Sequence, residues 1–301
     1  MKVSIIGIGK VGSTLAYTLI SKDLISELVL VSRNSNKAYG EALDLTHCQS
    51  FTDRKISIKS GNFNDTINSD VIIITASIPY EPHFKNRFDL APGNIQILKE
   101  LTPKLISQSP NAVYIIVSNP VDILTDFFLK ISKLNHQKVL GVGTLIDSAR
   151  FRSELSTFYN IHTDDLRAYI LGEHGDSQFP FISTTSIGGE SLKASKQIET
   201  IFNKTLNAGY DIVKNKGYTN YVISMATALI LESIANDSNR VIPVSTKIPA
   251  IWKTENVCLS LPAVIGKSGI VKVLQPNLNL EEQELLKKSA QIIKHEIDKL
   301  S

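Results

Sequence analysis

The chain is poor in the residues that build cross-links and metal sites. Its 301 residues include two cysteines, Cys48 and Cys258, far apart and without a CxxC pair, and six histidines that form no ligand cluster. A disulfide framework and a bound metal are therefore not expected, and the thiols suit a reducing compartment. Runs of one charge are missing too: 32 Lys and Arg stand against 29 Asp and Glu, for a formal charge of +3, with both signs interspersed. That is not the footprint of a nucleic-acid binder, although a mild positive balance helps to attract a small anion. No uninterrupted apolar stretch is long enough to span a bilayer. Lys2 and the apolar residues after it imitate a signal peptide, but Gly7, Gly9 and Gly12 interrupt them and no A-x-A-like site follows. The expectation is a cytoplasmic protein with no membrane and no nucleic-acid partner.

What is present is an ordinary globular composition, 43% hydrophobic and 20% charged, in a chain long enough for one or two domains. Apolar runs at 3–8, 28–31, 71–75, 113–117 and 139–142 alternate with segments of helical pattern at 15–20, 34–47, 94–106 and 121–134. The runs at 71–75 and 113–117 are continuous and β-branched, as in strands covered on both faces. Such alternation predicts an α/β fold with a doubly wound parallel sheet over residues 1–143. The second half, 144–301, alternates less cleanly. A helix at 148–159, a short strand at 168–171, a helix at 225–234 and a terminal amphipathic helix at 281–300 predict a second, α+β domain that carries the substrate.

Gly7-Ile8-Gly9-Lys10-Val11-Gly12 has the form GxGxxG and sits between a strand and a helix. The first glycine permits a tight turn, the second lets the backbone approach a pyrophosphate, and the third lets helix and strand pack closely. The helix N-terminus adds unpaired N–H groups. In this setting the motif points to a Rossmann dinucleotide site rather than a plain turn. The acid that normally follows about 20 residues later is absent; Ser32 and Arg33 stand there. A serine does not repel a 2′-phosphate, and an arginine can pair with one. The expected cofactor is NAD or NADP, with Arg33 either on that phosphate or in solvent.

Four further segments carry polar chemistry. Ser118-Asn119-Pro120-Val121-Asp122 follows an apolar run, at the sheet edge where doubly wound folds bind ligands. Asp147 and Arg150 are spaced i,i+3 on a helix. Gly172-Glu173-His174-Gly175-Asp176 sets a histidine in a glycine-flanked turn, and Arg87-Phe88-Asp89-Leu90 ends a proline-containing loop. Taken singly, each has a bland reading: a loop histidine, a helix-face ion pair, an Asn-Pro turn, a solvated arginine. Together with GIGKVG, GTLIDSARFR (143–152), LGEHGDSQFP (171–180) and NKGYTN (215–220), in that order over about residues 1–270, they resemble the lactate/malate dehydrogenase family, and within it the lactate and L-2-hydroxyisocaproate branch.

The resemblance implies an L-2-hydroxy-acid dehydrogenase that moves a hydride between its cofactor and a small monocarboxylic 2-keto acid. It assigns acid–base chemistry to His174, orientation of that ring to Asp147, the substrate carboxylate to Arg150, and polarisation of the carbonyl to Arg87, with Asn119 near the same oxygen. Imidazole titrates near neutrality, and only a guanidinium offers two parallel hydrogen bonds to a carboxylate. The cofactor would meet Gly7, Gly9, Val11, Gly12, Ser32, Arg33 and Lys37 on its adenosine side, and Ser77, Ile78, Val117 and Asn119 toward the nicotinamide. Ser77 departs from the family's usual glycine.

Aligned from Thr75, the residue that separates lactate from malate enzymes falls on Tyr80, in a loop one residue longer than usual before Arg87. A dicarboxylate would need a second cation, for which Lys85 and His83 are the candidates. Thr219 matches the lactate-type far wall. Pyruvate or a branched homologue is expected over oxaloacetate, with Tyr80 either lining the pocket or filling it. Arg152, with Arg167, falls where some bacterial enzymes bind a sugar bisphosphate, and surface charge explains the pair equally well. By analogy, a homo-dimer or homo-tetramer is expected. A non-catalytic dinucleotide-binding protein leaves His174, Asp147, Arg150 and Arg87 together unexplained. An NAD-requiring glycosidase on a similar scaffold would want metal-ligating cysteine and histidine.

Overall fold

The computed structural model describes residues 1–81, 84, 86–249, 252, 254 and 256–300. Six parallel strands, β1 (Lys2–Ile6), β2 (Glu27–Val31), β3 (Ser57–Gly61), β4 (Val71–Ile74), β5 (Val113–Ile116) and β6 (Val139–Gly141), lie in the order β3-β2-β1-β4-β5-β6. This is the doubly wound arrangement the sequence predicts. The helices α1 (Lys10–Ser21), α2 (Ser35–Cys48), α3 (Ala91–Gln108) and α4 (Val121–Ser132) connect them. Every residue of β4 and β5 is buried, and each such Val or Ile contributes about 1.5–3 kcal/mol of burial. β3 was not expected: its sequence, SIKSG, is polar and exposed or half-buried, as a sheet edge permits.

The second half begins with α5 (Leu145–Tyr159). Of the strand expected at 168–171 only the last two residues form one, and a separate short strand precedes them. β7 (Leu166–Arg167) and β8 (Ile170–Leu171) join separate small sheets, the latter pairing with β9 (Phe179–Pro180), the former with β10 (Ser186–Ile187), which in turn pairs with β11 (Glu190–Ser191). A 21-residue helix, α6 (Lys196–Lys216), follows, then α7 (Tyr221–Ala235). Three antiparallel strands, β12 (Arg240–Lys247), β13 (Cys258–Gly266) and β14 (Gly269–Val273), precede the terminal helix α8 (Leu280–Lys299).

Those three strands do not form a sheet of their own. β12 adds to β6 through Ser245 and Gly141, so one nine-stranded sheet runs through both halves of the chain. Both core layers do likewise. Leu15 and Leu19 of α1 share one layer with Leu231 of α7 and Ala263 of β13, while Leu98 of α3 and Phe128 of α4 share the other with Leu261 of β13 and Leu286 of α8. Among the described residues no helix is long and apolar enough to cross a membrane, and no cluster of three metal-ligating side chains exists.

Candidate active site

The order of the strands reverses between β1 and β4, and the glycine turn sits at that point. Gly7 has φ +107°, and a Cβ there would lie 2.5 Å from the backbone nitrogen of Ala76; one on Gly12 would lie 2.1 Å from the Gly7 carbonyl oxygen. The first and third glycines are thus imposed by the chain itself. Gly9 is not: a Cβ there would meet nothing within 4 Å. The side of Gly9 where that Cβ would lie is open, at the N-cap of α1, and a helix N-terminus with such space beside it can admit a phosphate.

On the adenosine side, Ser32 is half-buried and its Oγ accepts the Asn34 N–H at 3.3 Å. Asn34 caps α2 by accepting the Lys37 N–H at 3.0 Å. Arg33 and Lys37 are exposed at the rim. At the other end, Asn94 of α3, 1% exposed, ties together three predicted cofactor or substrate contacts. Its Oδ1 accepts the Ile78 N–H at 2.8 Å, and its Nδ2 donates to Ser77 Oγ at 3.0 Å and to the Asn119 carbonyl at 2.7 Å. Val117, 8% exposed, continues β5 beside them. Asn94 escapes sequence reading because its partners lie 16, 17 and 25 residues away.

The second cluster forms where α5, the turn after β8 and the first turn of α4 meet. His174 Nδ1 lies 2.5 Å from Asp147 Oδ2, and Arg150 Nη1 donates to Asp147 Oδ1 at 3.1 Å. Arg87 Nη1 donates to the His174 carbonyl at 2.7 Å, and its guanidinium lies 5.6 Å from the centre of the Tyr210 ring. Arg87 is presented by a short turn that Asn86 and Asp89 cap reciprocally. Its guanidinium lies against the His174 main chain in this conformation. Gly209, at mid-α6, backs onto both guanidiniums: a Cβ there would lie 3.2 Å from Arg150 Nη1 and 3.6 Å from Arg87 Nη2.

Burial pushes the His174 imidazole below its usual range and Asp147 pulls it up, with the charges of Arg87 and Arg150 pushing down again. Burial alone would raise Asp147; His174, and after it Arg150 and Arg87, hold its carboxyl below the usual carboxylate range instead. With Nδ1 turned to Asp147, where its N–H can donate, Nε2 is the nitrogen left for a ligand. Among the described residues five buried side-chain polar atoms lack a hydrogen-bond partner, Asp126 Oδ2, Gln178 Oε1 and Thr246 Oγ1 among them, and two of the five belong to predicted ligand contacts: Arg150 Nε, a donor, and Asn119 Oδ1, an acceptor. Such atoms cost about 1–3 kcal/mol each unless something meets them.

The structure does not bring every predicted residue inward. Tyr80 is 62% exposed, donates its hydroxyl to the Phe84 carbonyl at 2.9 Å and packs edge-on against the Phe84 ring. Its hydroxyl is thus taken up by its own loop, and much of its ring is open to solvent in this conformation. His83 and Lys85 lie outside the described residues. Thr219 is half-buried between α6 and α7. Its neighbour Tyr218 has Lys10 Nζ 5.1 Å from its ring centre, and Asn220 donates to Thr14 Oγ1 at 2.7 Å, so this wall is fastened to the start of α1. Arg152 is half-buried and donates to the Ala168 carbonyl at 3.3 Å; Arg167, exposed on β7, lies close enough for its charge to be felt there.

Comparison with known proteins gives a consistent picture. The family model for the lactate/malate dehydrogenase NAD binding domain matches residues 1–141, and that for the family's alpha/beta C-terminal domain matches 144–301. An L-lactate dehydrogenase of Thermoanaerobacter sp. (strain X514) is 41% identical, over 99% of each chain. One from Clostridium perfringens (strain SM101 / Type A) is 38% identical over 98% of this chain and 96% of its own. Among solved structures, a lactate dehydrogenase from a Medee basin deep-sea metagenome library superposes with a TM-score of 0.95 at 35% identity, covering 99% of this chain and 98% of that one. The minor L-lactate dehydrogenase of Enterococcus mundtii gives the same TM-score at 30% identity, covering 100% and 98%.

Proposed function

This chain belongs to the lactate/malate dehydrogenase family, and we propose that it interconverts pyruvate and L-lactate with His174 as its acid–base group. The observation that supports this most is the pair of unpartnered buried atoms beside a histidine–aspartate couple. Arg150 Nε needs an acceptor, which a substrate carboxylate supplies with a second oxygen for the remaining guanidinium N–H groups. Asn119 Oδ1 is open to a donor from a bound ligand other than the reacting hydroxyl, whose single proton goes to His174 Nε2.

A bound nicotinamide supplies the hydride acceptor or donor. The protein supplies the rest. Gly9 and the N-terminus of α1 hold phosphate, Ser77, Ile78 and Val117 bound the far end, and Arg150 holds the carboxylate. Arg87 stabilises charge on the carbonyl oxygen, and His174 Nε2 gives that oxygen a proton in the reducing direction and takes it back in the other. An anionic carboxylate beside Arg150 and Arg87 offsets the two charges that depress the imidazole, so substrate binding itself favours the protonated ring that reduction needs.

Tyr80 is not a cation, and Thr219 and Gly209 offer no second charge for a dicarboxylate. With Ser32 in place of an acid, NADP is accepted alongside NAD. The expected result is kcat/KM for pyruvate at least tenfold above that for oxaloacetate, and within about tenfold with NADPH in place of NADH. The same assay with 2-ketoisocaproate separates a lactate enzyme from a branched-acid one. Preference for oxaloacetate would overturn the substrate reading, and no turnover with NADPH the cofactor reading.

Tyr39 and Leu43 of α2, and Tyr221 and Met225 of α7, are each spaced i,i+4 and are 62, 43, 67 and 53% exposed. Such a pair makes an apolar stripe on its helix, and exposed stripes of this kind suit a partner surface. A homo-oligomer built on these faces is expected to elute with a mass at least twice 33.2 kDa in light scattering. Leu43→Glu should reduce it, and a parent monomer at micromolar concentration would refute the proposal.

A further inference from the structure

His174 is gripped at both ends, by carboxylates from two different helices. Asp147 of α5 holds the ring. Asp122, in the first turn of α4, holds the main chain: its Oδ2 accepts the His174 N–H at 2.7 Å. The other oxygen of Asp122 accepts the Ser245 hydroxyl at 2.5 Å. Asp122 is 2% exposed and Ser245 fully buried. Ser245 is also the residue through which β12 meets β6. The carboxylate is thus pinned by the sheet on one side and pins the His174 peptide on the other.

We propose that Asp122 is a positioning residue for the reaction, fixing the His174 main chain so that the ring held by Asp147 has one orientation over the substrate. This rests on the reading of His174 as the acid–base group. Asp122 itself bonds to neither of the unpartnered atoms that await a ligand; it acts through His174. The peptide it holds follows Gly172, at φ +92°, in a turn that is neither helix nor strand. No carbonyl of a regular ladder is at hand to take that N–H. Released, it would be a half-buried donor seeking a new partner, and rotation of the His174 backbone would carry the imidazole with it. A displacement of about 1 Å at a reacting group costs on the order of 10²-fold in rate.

The charged surroundings reinforce the point. Asp122 is faced by Glu173 in the same turn, by Asp147 on α5 and by Cys258 on β13. Burial pushes its carboxyl up to about 7, the hydrogen bonds from Ser245 and His174 oppose this, and Glu173 and Asp147 add to it. A group at that energetic cost is placed where an aliphatic side chain would pack more cheaply, unless its acceptor oxygens are needed.

Three variants test this in the full-length protein by steady-state turnover of pyruvate, with cofactor affinity read separately by NADH fluorescence. Asp122→Asn keeps one oxygen for the His174 N–H and an amide that can donate to Ser245; kcat should stay within about fivefold of the parent. Asp122→Leu removes both anchors; kcat should fall about 10²-fold with the NADH Kd unchanged. Ser245→Ala loosens the anchor from behind and should lower kcat by roughly three- to tenfold. A fall in kcat with NADH affinity unchanged is a split that general loosening of the fold does not produce. A Leu variant within about twofold of the parent in kcat would overturn the proposal. So would loss of kcat and of NADH affinity in proportion. Should the Leu variant not fold, Ser245→Ala decides by the same two criteria. A His174→Ala control keeps the two readings apart: if it remains active the acid–base assignment fails, and if it is inactive while Asp122→Leu is unaffected only the present inference fails.

Discussion

A His174→Ala variant is expected to lose about 10²–10⁴-fold in kcat for pyruvate reduction and to bind NADH as the parent does. The imidazole is the titratable side chain that Asp147 holds in this cluster. The pH dependence should change with it. In the free protein burial lowers the imidazole pKa, so reduction, which needs the protonated ring, loses kcat/KM as pH rises through that value. Oxidation of the hydroxy acid needs the neutral ring and loses kcat/KM as pH falls through it. Both slopes should vanish in the variant. A kcat within about fivefold of the parent, or slopes that persist, would remove His174 from this role.

Arg150→Lys is the second large effect. The guanidinium already spends one N–H on Asp147 and keeps a buried Nε without a partner. A lysine keeps the charge but offers no fixed pair of donors. It would be drawn to Asp147, leaving the substrate carboxylate one poor contact where two charged hydrogen bonds of about 1.5–3 kcal/mol each had been. The expected loss in kcat/KM is on the order of 10²–10³-fold, most of it in KM if the clamp acts equally in ground and transition states. A variant with unchanged KM and kcat would show that the carboxylate binds elsewhere. Gly209 bears on the same point: a Cβ there would press on Arg150 Nη1, 3.2 Å away, while meeting Arg87 Nη2 only at an ordinary contact distance of 3.6 Å.

The parts legible in the sequence are those whose chemistry is local. The glycine turn, the i,i+3 pair Asp147 and Arg150, and the glycine-flanked His174 each occupy one short segment, and the structure brings the last three into contact. The parallel half of the sheet was legible because its central strands are unbroken apolar runs. The antiparallel half was not. Pro243 and Pro262 face each other across β12 and β13, and proline in a run argues against a strand when its neighbours are unknown. The helix α6 was missed because its buried positions, Ile198, Ile201, Thr205 and Gly209, include two weakly apolar residues among lysines and asparagines. Asn94 and Ser245 left no local trace, since every bond that matters to them reaches across the fold.

The continuity of the sheet past β6 limits how this molecule can work as a machine. A chain of two family modules invites the image of two jaws closing on a hinge. Here the supposed hinge is a shared beam: β12 lies against β6, and each core layer is riveted from both halves. Cutting the beam after Gly143 would bare the edge of β6 and strip half the rivets from either side. Neither module is therefore an exchangeable cartridge, because a foreign first half would have to arrive with a groove already shaped for β12 and a neighbour for Ser245. The parts that can close over a substrate without breaking this beam are the loops and side chains mounted above it.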